Sequence, residues 1–437
     1  MSEMKSLTLN DNTYDSFVDG VARPLAEASA VSCSVSGESI ALSDSSDMPL
    51  AGLNLYGKST QAGTPTPDAP VDVVSLGDDG SIKIDVCGKN LLQINKSAVG
   101  VPLTNHGITF TRNADDSITI NGTASGNAFY NMDYEGGDVK YPTKTRLVAN
   151  LGGVVDGIVM VVGYFDNNGS VVDNVVDVRS WKQSVEFELP TSAKRGRSYL
   201  MVADGTTLKN VVVYPMIRLA KFTENTFEPH KAARSMEVET PEGLKAIPVT
   251  DKAVATYTDA NGQMWCADEV DLARGVRVKR VKTLELNGTE SWGEATQYPA
   301  YSFTLPSTSR AGICTHFQRI YYNDLTTGTK EGIYLEYSAK VIAKVKTTFP
   351  TLAEFKSFLA ERVTAGNPVT IYYCDEAPIE TPLTDEQIAT YKMLYMNKPN
   401  TTVTNDENAY MGMTYIADTK SYIDSKISAG ILAATVE

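Results

Sequence analysis

The feature that most narrows what this chain can fold into is a recurring apolar–polar alternation with a period of two. Ile108 and Phe110 alternate with Thr109 and Thr111, Asn113-Ala114-Asp115-Asp116 supplies turn chemistry, and Ile118 and Ile120 then alternate with Thr119 and Asn121. In an extended strand successive side chains point to opposite faces, so this pattern predicts a β-hairpin with one dry face. Val185, Phe187 and Leu189 alternate with Glu186 and Glu188 in the same way. The runs Ile158 to Phe165 and Val211 to Tyr214 are short, Val-rich and continuously apolar, which predicts strands buried on both faces. Asn167-Asn168-Gly169 and Asp259-Ala260-Asn261-Gly262 mark tight turns. The middle of the chain therefore reads as all-β.

Helix signals are fewer. Thr351-Leu352-Ala353-Glu354 has capping-box spacing ahead of Phe355, Phe358 and Leu359, and the run ends at Ala365-Gly366. Thr384-Asp385-Glu386-Gln387 repeats the device before Ile388, Tyr391, Leu394 and Tyr395, and Pro399 stops it. From Ile416 to Ile431 an apolar stripe of Ile416, Ile423, Ile427 and Ile431 at helical spacing predicts a helix that needs a partner, its own domain or copies of itself. The expected fold class is mainly β, with tandem antiparallel β-sandwich, jelly-roll-like modules and a few short helices including this C-terminal one.

With 437 residues, the chain is too long for a single core. The Pro-rich stretch Thr64 to Pro70 cannot join a central strand and predicts a stiff linker. Val31 to Asp47 is Ser-rich and acidic, with few large apolar residues. Alternation stops near Glu228-Pro229-His230-Lys231, and a further break falls near Glu376-Ala377-Pro378-Ile379. The expected organisation is an N-terminal arm or attachment segment over 1–50, a β-segment with the linker over 51–90, and a jelly roll over 91–232. A second β-rich domain with one helix over 233–378 and a helical, oligomerising segment over 379–437 complete it.

Charge and cysteine content exclude several classes. Lys+Arg 39 against Asp+Glu 53 gives a net charge of -14, which repels phosphate backbones and argues against a nucleic-acid partner. The cationic stretch Arg274 to Lys282 alternates with valines, predicting a strand with a valine face and a solvated or acid-paired face. No run approaches the roughly 20 apolar residues that cross a bilayer, so membrane insertion is not expected. The first residues show neither an apolar h-region nor a small-residue cleavage site, predicting cytoplasmic synthesis without a signal peptide. Cys33, Cys87, Cys266, Cys314 and Cys374 are odd in number and widely spaced, which argues against a disulfide framework or zinc knuckle and predicts small buried apolar residues.

Catalytic signatures are sparse. His106, His230 and His316 form no zinc motif, and there is no nucleophile elbow, Walker loop or dinucleotide fingerprint. No cofactor or metal is expected. Asp78/Asp79, Asp115/Asp116 and Asp375/Glu376 could serve glycoside hydrolysis only if two groups were held about 5 to 10 Å apart across a sugar, which sequence neighbours do not establish. Asn113, Asp115 and Asp116 lack the order of a calcium loop and read as a hairpin turn. The five Asn-x-Ser/Thr sites at Asn95, Asn121, Asn168, Asn287 and Asn400 carry no weight without a signal peptide. Aromatics are the remaining lead. Tyr130, Tyr134 and Tyr141 sit among Asn131, Asp133 and glycines, and Trp181 lies in another turn-flanked piece, a composition that suits stacking on a sugar face. The alternative is that these rings seal the edge of the β-core.

Several phrases together resemble a known family. Leu53 to Gln61 running into Gly63 to Pro70, then Gly88-Lys89-Asn90-Leu91-Leu92, the hairpin of Gly107 to Thr111 with Asp116 to Ala124, and Tyr214 to Leu219 resemble a β-sandwich module of bacteriophage tail-tip and tail-fibre, baseplate-associated proteins of phages infecting Gram-positive gut bacteria. Tyr257 to Trp265 with Asp268 to Gly275 is similar to the next module of these proteins. Pro378 to Leu383, Asn400 to Val403 and Tyr415 to Lys420 resemble their shared C-terminal end. The resemblance implies a noncatalytic virion protein of the distal tail, with a carbohydrate-binding-like jelly roll. Its implied partners are other tail or baseplate subunits, host cell-wall or capsular polysaccharide, and copies of itself, a trimer being favoured. Two other readings stay open: a purely architectural spacer or decoration protein, and a tailspike-like polysaccharide depolymerase.

Overall fold

The computed structural model describes residues 6–9, 12–15, 32–42, 50–94, 97–132, 137–138, 145–152, 155–166, 168, 170–178, 184–189, 192–223, 225–335, 338–392 and 400–416. The protein is mainly β, every named strand pair is antiparallel, and three short helices occur among the described residues.

The predicted hairpin forms as Ile108–Arg112 against Ile118–Thr123, with Phe110 opposite Ile120. Asp116 turns the chain at positive φ and pairs with Arg112 at 2.6 Å, while Ser117 donates to Asp115, which holds the Asp115 carboxyl below its usual value. Gly122 sits at φ +123, where a Cβ would lie 2.2 Å from the Gly107 carbonyl oxygen; only glycine permits the two strands to approach there. Pro102–Asn105 and Thr207–Val213 flank this hairpin in one sheet. A second sheet runs Ala128–Asn131, Arg195–Val202, Ile158–Phe165, Val171–Val178, and a third runs Ser184–Glu188, Arg146–Asn150, Met216–Leu219. Their inward faces share one core that includes Phe110, Ile120, Met160, Leu200 and Phe222. Ile158 to Tyr164 is buried throughout, as its continuous apolar run predicts. Thr207–Val213 instead buries only Leu208 and Val213, and Val212 is 38% exposed, because this antiparallel sheet turns one face to water.

Most of the other described residues form the base into which this sandwich is inserted. One long sheet runs Gly332–Tyr334, Ser338–Lys344, Tyr301–Cys314, Val369–Pro382, Val276–Leu286, Glu269–Asp271, Leu50–Tyr56, Tyr410–Ile416, Ser32–Gly37. A four-stranded sheet, Arg234–Glu239, Ser81–Gly88, Thr401–Asn405, Ile40–Leu42, shares a core with one end of it through Leu53, Ile82, Ile84, Met236 and Met411. At the other end the helix Leu352–Thr364 packs Phe355 and Leu359 among Trp292, Tyr301 and Phe303, and its Thr351/Glu354 capping box forms as predicted. The strand pairing thus joins segments that the sequence reading assigns to four separate modules. The Ser-rich segment is a case in point: Ser32–Gly37 completes the long sheet against Tyr410–Ile416, and Ile40 and Leu42 are buried. Too few apolar residues for a core of its own still suffice for a share in another's. The Pro-rich stretch is the loop of a hairpin, since Ser59–Gln61 pairs with Val73–Ser75 on either side of it, and the chain beyond it is held by the bond from Val71 N to Thr315 O.

Val276–Leu286 confirms the acid-paired reading of the basic stretch. Val278 and Val281 are buried, while Arg274, Lys279, Arg280 and Lys282 pair with Glu380, Glu242, Glu269 and Asp375. A bulge between Lys279 and Val281 shifts the phase of the alternation. The cysteine expectation is corrected in part. Cys266 and Cys374 are bonded to each other, joining Met264–Ala267 to Val369–Pro382; Cys87 and Cys314 are free and buried. Spacing in sequence hid this pair because 108 residues separate its members. The proposed C-terminal helix falls otherwise at its start: Ile416 ends the strand Tyr410–Ile416, and Ile423, Ile427 and Ile431 lie outside the described residues.

Two predictions follow from this packing. Removing the bridge with Cys374→Ser should lower unfolding free energy by about 4 kcal/mol through the freed loop entropy; an unchanged denaturant midpoint would contradict a formed bond. His316 is fully buried, with Nδ1 2.9 Å from Thr315 Oγ1 and Nε2 without a hydrogen-bond partner among the described residues. Burial, then the Arg362 charge, hold its pKa below the ordinary 6.5, against a weaker opposing effect of Asp72. The unfolded chain therefore binds more protons below that value, and stability is lost as pH falls through it. His316→Gln should flatten the acid-side decline in thermal midpoint; an undiminished slope would count against this origin.

Candidate functional site

A cleft of about 700 Å³ is lined jointly by the inserted sandwich and the base. The sandwich contributes Thr145, Arg146, Glu186, Ala220 and Lys221; the base contributes the Ser36 to Ser39 turn, Thr258, Asp259, Ala260 and Tyr410. Strand geometry places these groups. Arg146 and Glu186 stand on neighbouring strands and pair at 2.6 Å, exposed to solvent. Lys221 follows Met216–Leu219 and donates to the Ser39 carbonyl, and burial lowers its pKa, partly offset by Glu38. Gly37 sits at φ +148, a backbone conformation that residues with a side chain rarely adopt, next to this contact.

The cleft's aromatic side is a stack. Tyr410 lies 4.4 Å from Tyr257 with rings 15° apart, Tyr257 stacks on Trp265, and Tyr56 packs against both tyrosines. Tyr410 Oη is 2.7 Å from Ser36 Oγ, and Tyr257 donates to Gly57 O. Burial, reinforced by Asp259, raises the Tyr257 pKa, so its hydroxyl stays protonated as that donor. Asp259 anchors the adjoining turn by accepting from Asn261 N, Gln263 N and Trp265 Nε1. Its partial burial works to raise the carboxyl pKa, but these hydrogen bonds outweigh it and leave the carboxyl below the ordinary value. The cleft thus offers an aromatic stack beside fixed carboxylates, an amine, a guanidinium and hydroxyls.

Of the residues expected to bind a ligand, Tyr130 is placed in the core. It is 1% exposed, stacks on Phe110 at 5.1 Å, and its hydroxyl bonds to Ser97, so its ring has no face free for a sugar. Its strand neighbour Phe129 takes the outward position, 43% exposed, beside Tyr199. Asn131 is half-buried. Asp133, Tyr134, Tyr141 and Trp181 lie outside the described residues. Sequence reading missed Tyr410, Lys221 and Glu38 as site residues. Tyr257 to Trp265 carried the available signal, an aromatic pair around an Asp-Ala-Asn-Gly turn, but reads in sequence as a plain hairpin.

Asp259→Ala removes three hydrogen bonds at once, two from exposed backbone amides and one from the part-buried Trp265 indole, a loss of about 1 kcal/mol. A lower thermal midpoint with a shift in tryptophan emission is expected; unchanged stability and emission would contradict the anchoring role.

No protein-family model matches the chain, and no curated protein matches it. Among solved structures, one from the crystal structure of accessory secretory protein 1, 2 and 3 in Streptococcus pneumoniae is similar over 29% of this chain and 95% of its own, at 15% identity and a TM-score of 0.22. Another, from the Gap123 glycosylation-associated protein complex of Streptococcus agalactiae, is similar over 40% of this chain and 49% of its own, at 10% identity and a TM-score of 0.20. This chain thus spans about half of the second, and likeness at these scores carries no argument about fold or activity.

Proposed function

We propose that this chain is a noncatalytic structural protein of a phage distal tail that contributes to recognition of host-surface polysaccharide. The observation that carries the glycan part is the cleft, where an aromatic stack ending at Tyr410 adjoins Glu38, Arg146, Glu186 and Lys221. A sugar presents an apolar C–H face to a ring and hydroxyls to fixed donors and acceptors, and this lining supplies both. The sequence resemblance to tail-tip and tail-fibre proteins supports the virion setting. A noncatalytic role fits the use of the cleft's carboxylates in structure: Glu38 pairs with Lys58, Glu186 with Arg146, and Asp259 holds its turn. Linked copies would raise weak single-site affinity through effective concentration.

A purely architectural role is the second reading, favoured by the burial of Tyr130, which removes one of the aromatics that pointed to a sugar platform on the sandwich. Binding of purified full-length protein to wall and capsular polysaccharides of Gram-positive gut bacteria separates the two. Arg146→Ala and Lys221→Ala are expected to weaken binding roughly tenfold, as loss of charged contacts to a ligand does. Equal binding by both variants would move recognition away from the cleft, and no binding by folded wild-type protein would leave the architectural role.

A further inference from the structure

The Gly88-Lys89-Asn90 sequence at the neck between base and sandwich buries a lysine beside an asparagine and a glutamate. Lys89 directly follows the strand Ser81–Gly88, and Asn400 directly precedes Thr401–Asn405. These strands are antiparallel partners with Gly88 opposite Thr401, so Lys89 and Asn400 occupy the next position of the same register. Glu228 reaches both. Its Oε1 lies 3.5 Å from Lys89 Nζ and accepts a hydrogen bond from Asn400 Nδ2. Its backbone is fixed by the bond from Asn90 Nδ2 to Glu228 O at 2.9 Å. Lys89 is 1% exposed, and all three side chains are in buried residues. Neither Lys89 Nζ nor Glu228 Oε2 has a hydrogen-bond partner among the described residues.

An ion pair in this setting carries a desolvation penalty that its single long contact and incomplete hydrogen bonding do not offset well. A primary amine, a carboxamide and a bridging carboxylate held together away from water are also the reactants and proton carrier for amide exchange. We propose that Lys89 and Asn400 become joined by an intramolecular isopeptide bond, with Glu228 as the proton-transfer group.

The step balances without any added reagent. Glu228 takes one proton from the Lys89 ammonium and keeps it. The neutral amine attacks Asn400 Cγ, forming the Nζ–Cγ bond. A second amine proton passes to Nδ2, the Cγ–Nδ2 bond breaks, and neutral ammonia leaves. The third proton remains on the new secondary amide, and nothing is oxidised or reduced. The buried charges of Lys89 and Glu228 are both gone, leaving a carboxylic acid beside an amide that it can hydrogen-bond. Holding the reactants in one register replaces the encounter that makes such an exchange slow in solution.

Intact-mass measurement of the folded full chain tests this directly. The expected mass is below that of the sequence by one ammonia, about 17 Da, with Lys89 acting as the buried nucleophile. Tandem mass spectrometry of a tryptic digest should show a branched peptide joining the Lys89 and Asn400 segments, with no cleavage after Lys89. Glu228→Gln, which keeps size and polarity, should leave the two segments unjoined at full mass. Full unmodified mass in the folded wild-type chain would overturn the proposal. So would an ammonia loss that maps to a linear peptide, as succinimide formation at an Asn-Gly such as Asn121-Gly122 would give. A cross-link formed undiminished by Glu228→Gln would overturn the role assigned to Glu228. The wild-type measurements stand whether or not the variant folds.

Discussion

A chain that leaves a β-sheet to build a second sandwich and then returns must fix both crossings at one point, and here the two crossings meet beside a lysine withdrawn from water. Lys89 leaves Ser81–Gly88 at the outward crossing, Glu228 stands just before Arg234–Glu239 at the return, and Asn400 leads into the strand paired beside the first. The neighbouring Asn90 adds bonds to Glu228 O, Leu92 N and Ile217 N, and its own carbonyl contacts His230 Nδ1 at 3.0 Å. Breaking a buried polar set by removing one partner strands the others, so such a junction resists piecemeal loosening. The orientation of sandwich on base, and with it the cleft that both line, depends on this junction.

That dependence explains why the cleft combines residues so far apart in sequence. Arg146 and Glu186 are fixed by the sandwich's own cross-strand pairing, Tyr410 by the long sheet, and Ser36 to Ser39 by the connection from Ser32–Gly37 to Ile40–Leu42. None of these elements alone offers a concave surface with an aromatic wall. Their chemistry converges only because the insertion is seated against the base, and rigid seating keeps the ordering cost of ligand binding low.

Local order was legible in the sequence wherever a segment's partner lies nearby. Ile108 to Ile120 declares its hairpin because both strands and the turn fall within a few residues, and Thr351 with Glu354 declares a helix start because the cap is local. Long-range order was not. The Ser-rich stretch reads as an arm because its strand partner, Tyr410–Ile416, lies near the other end of the chain. Cys266 and Cys374 read as unrelated for the same reason. Tyr130 illustrates a finer limit: in the short strand Ala128–Asn131 a shift of one residue exchanges inside for outside, and composition does not fix that parity. The phrase around Lys89 was visible as a resemblance, yet its buried partners Glu228 and Asn400 emerge only from the fold.

Strands from 32–88, 234–382 and 401–416 form one base, closed by Thr401–Asn405 beside Ser81–Gly88. Hydrogen exchange of the intact protein, followed by mass spectrometry, measures this most directly. Amides of Ser81–Gly88, Arg234–Glu239 and Thr401–Asn405 should open together with matching protection, as members of one cooperative unit do. Exchange of Thr401–Asn405 far ahead of Ser81–Gly88 would show a C-terminal segment that merely leans on an independent core, and would contradict a single cooperative base.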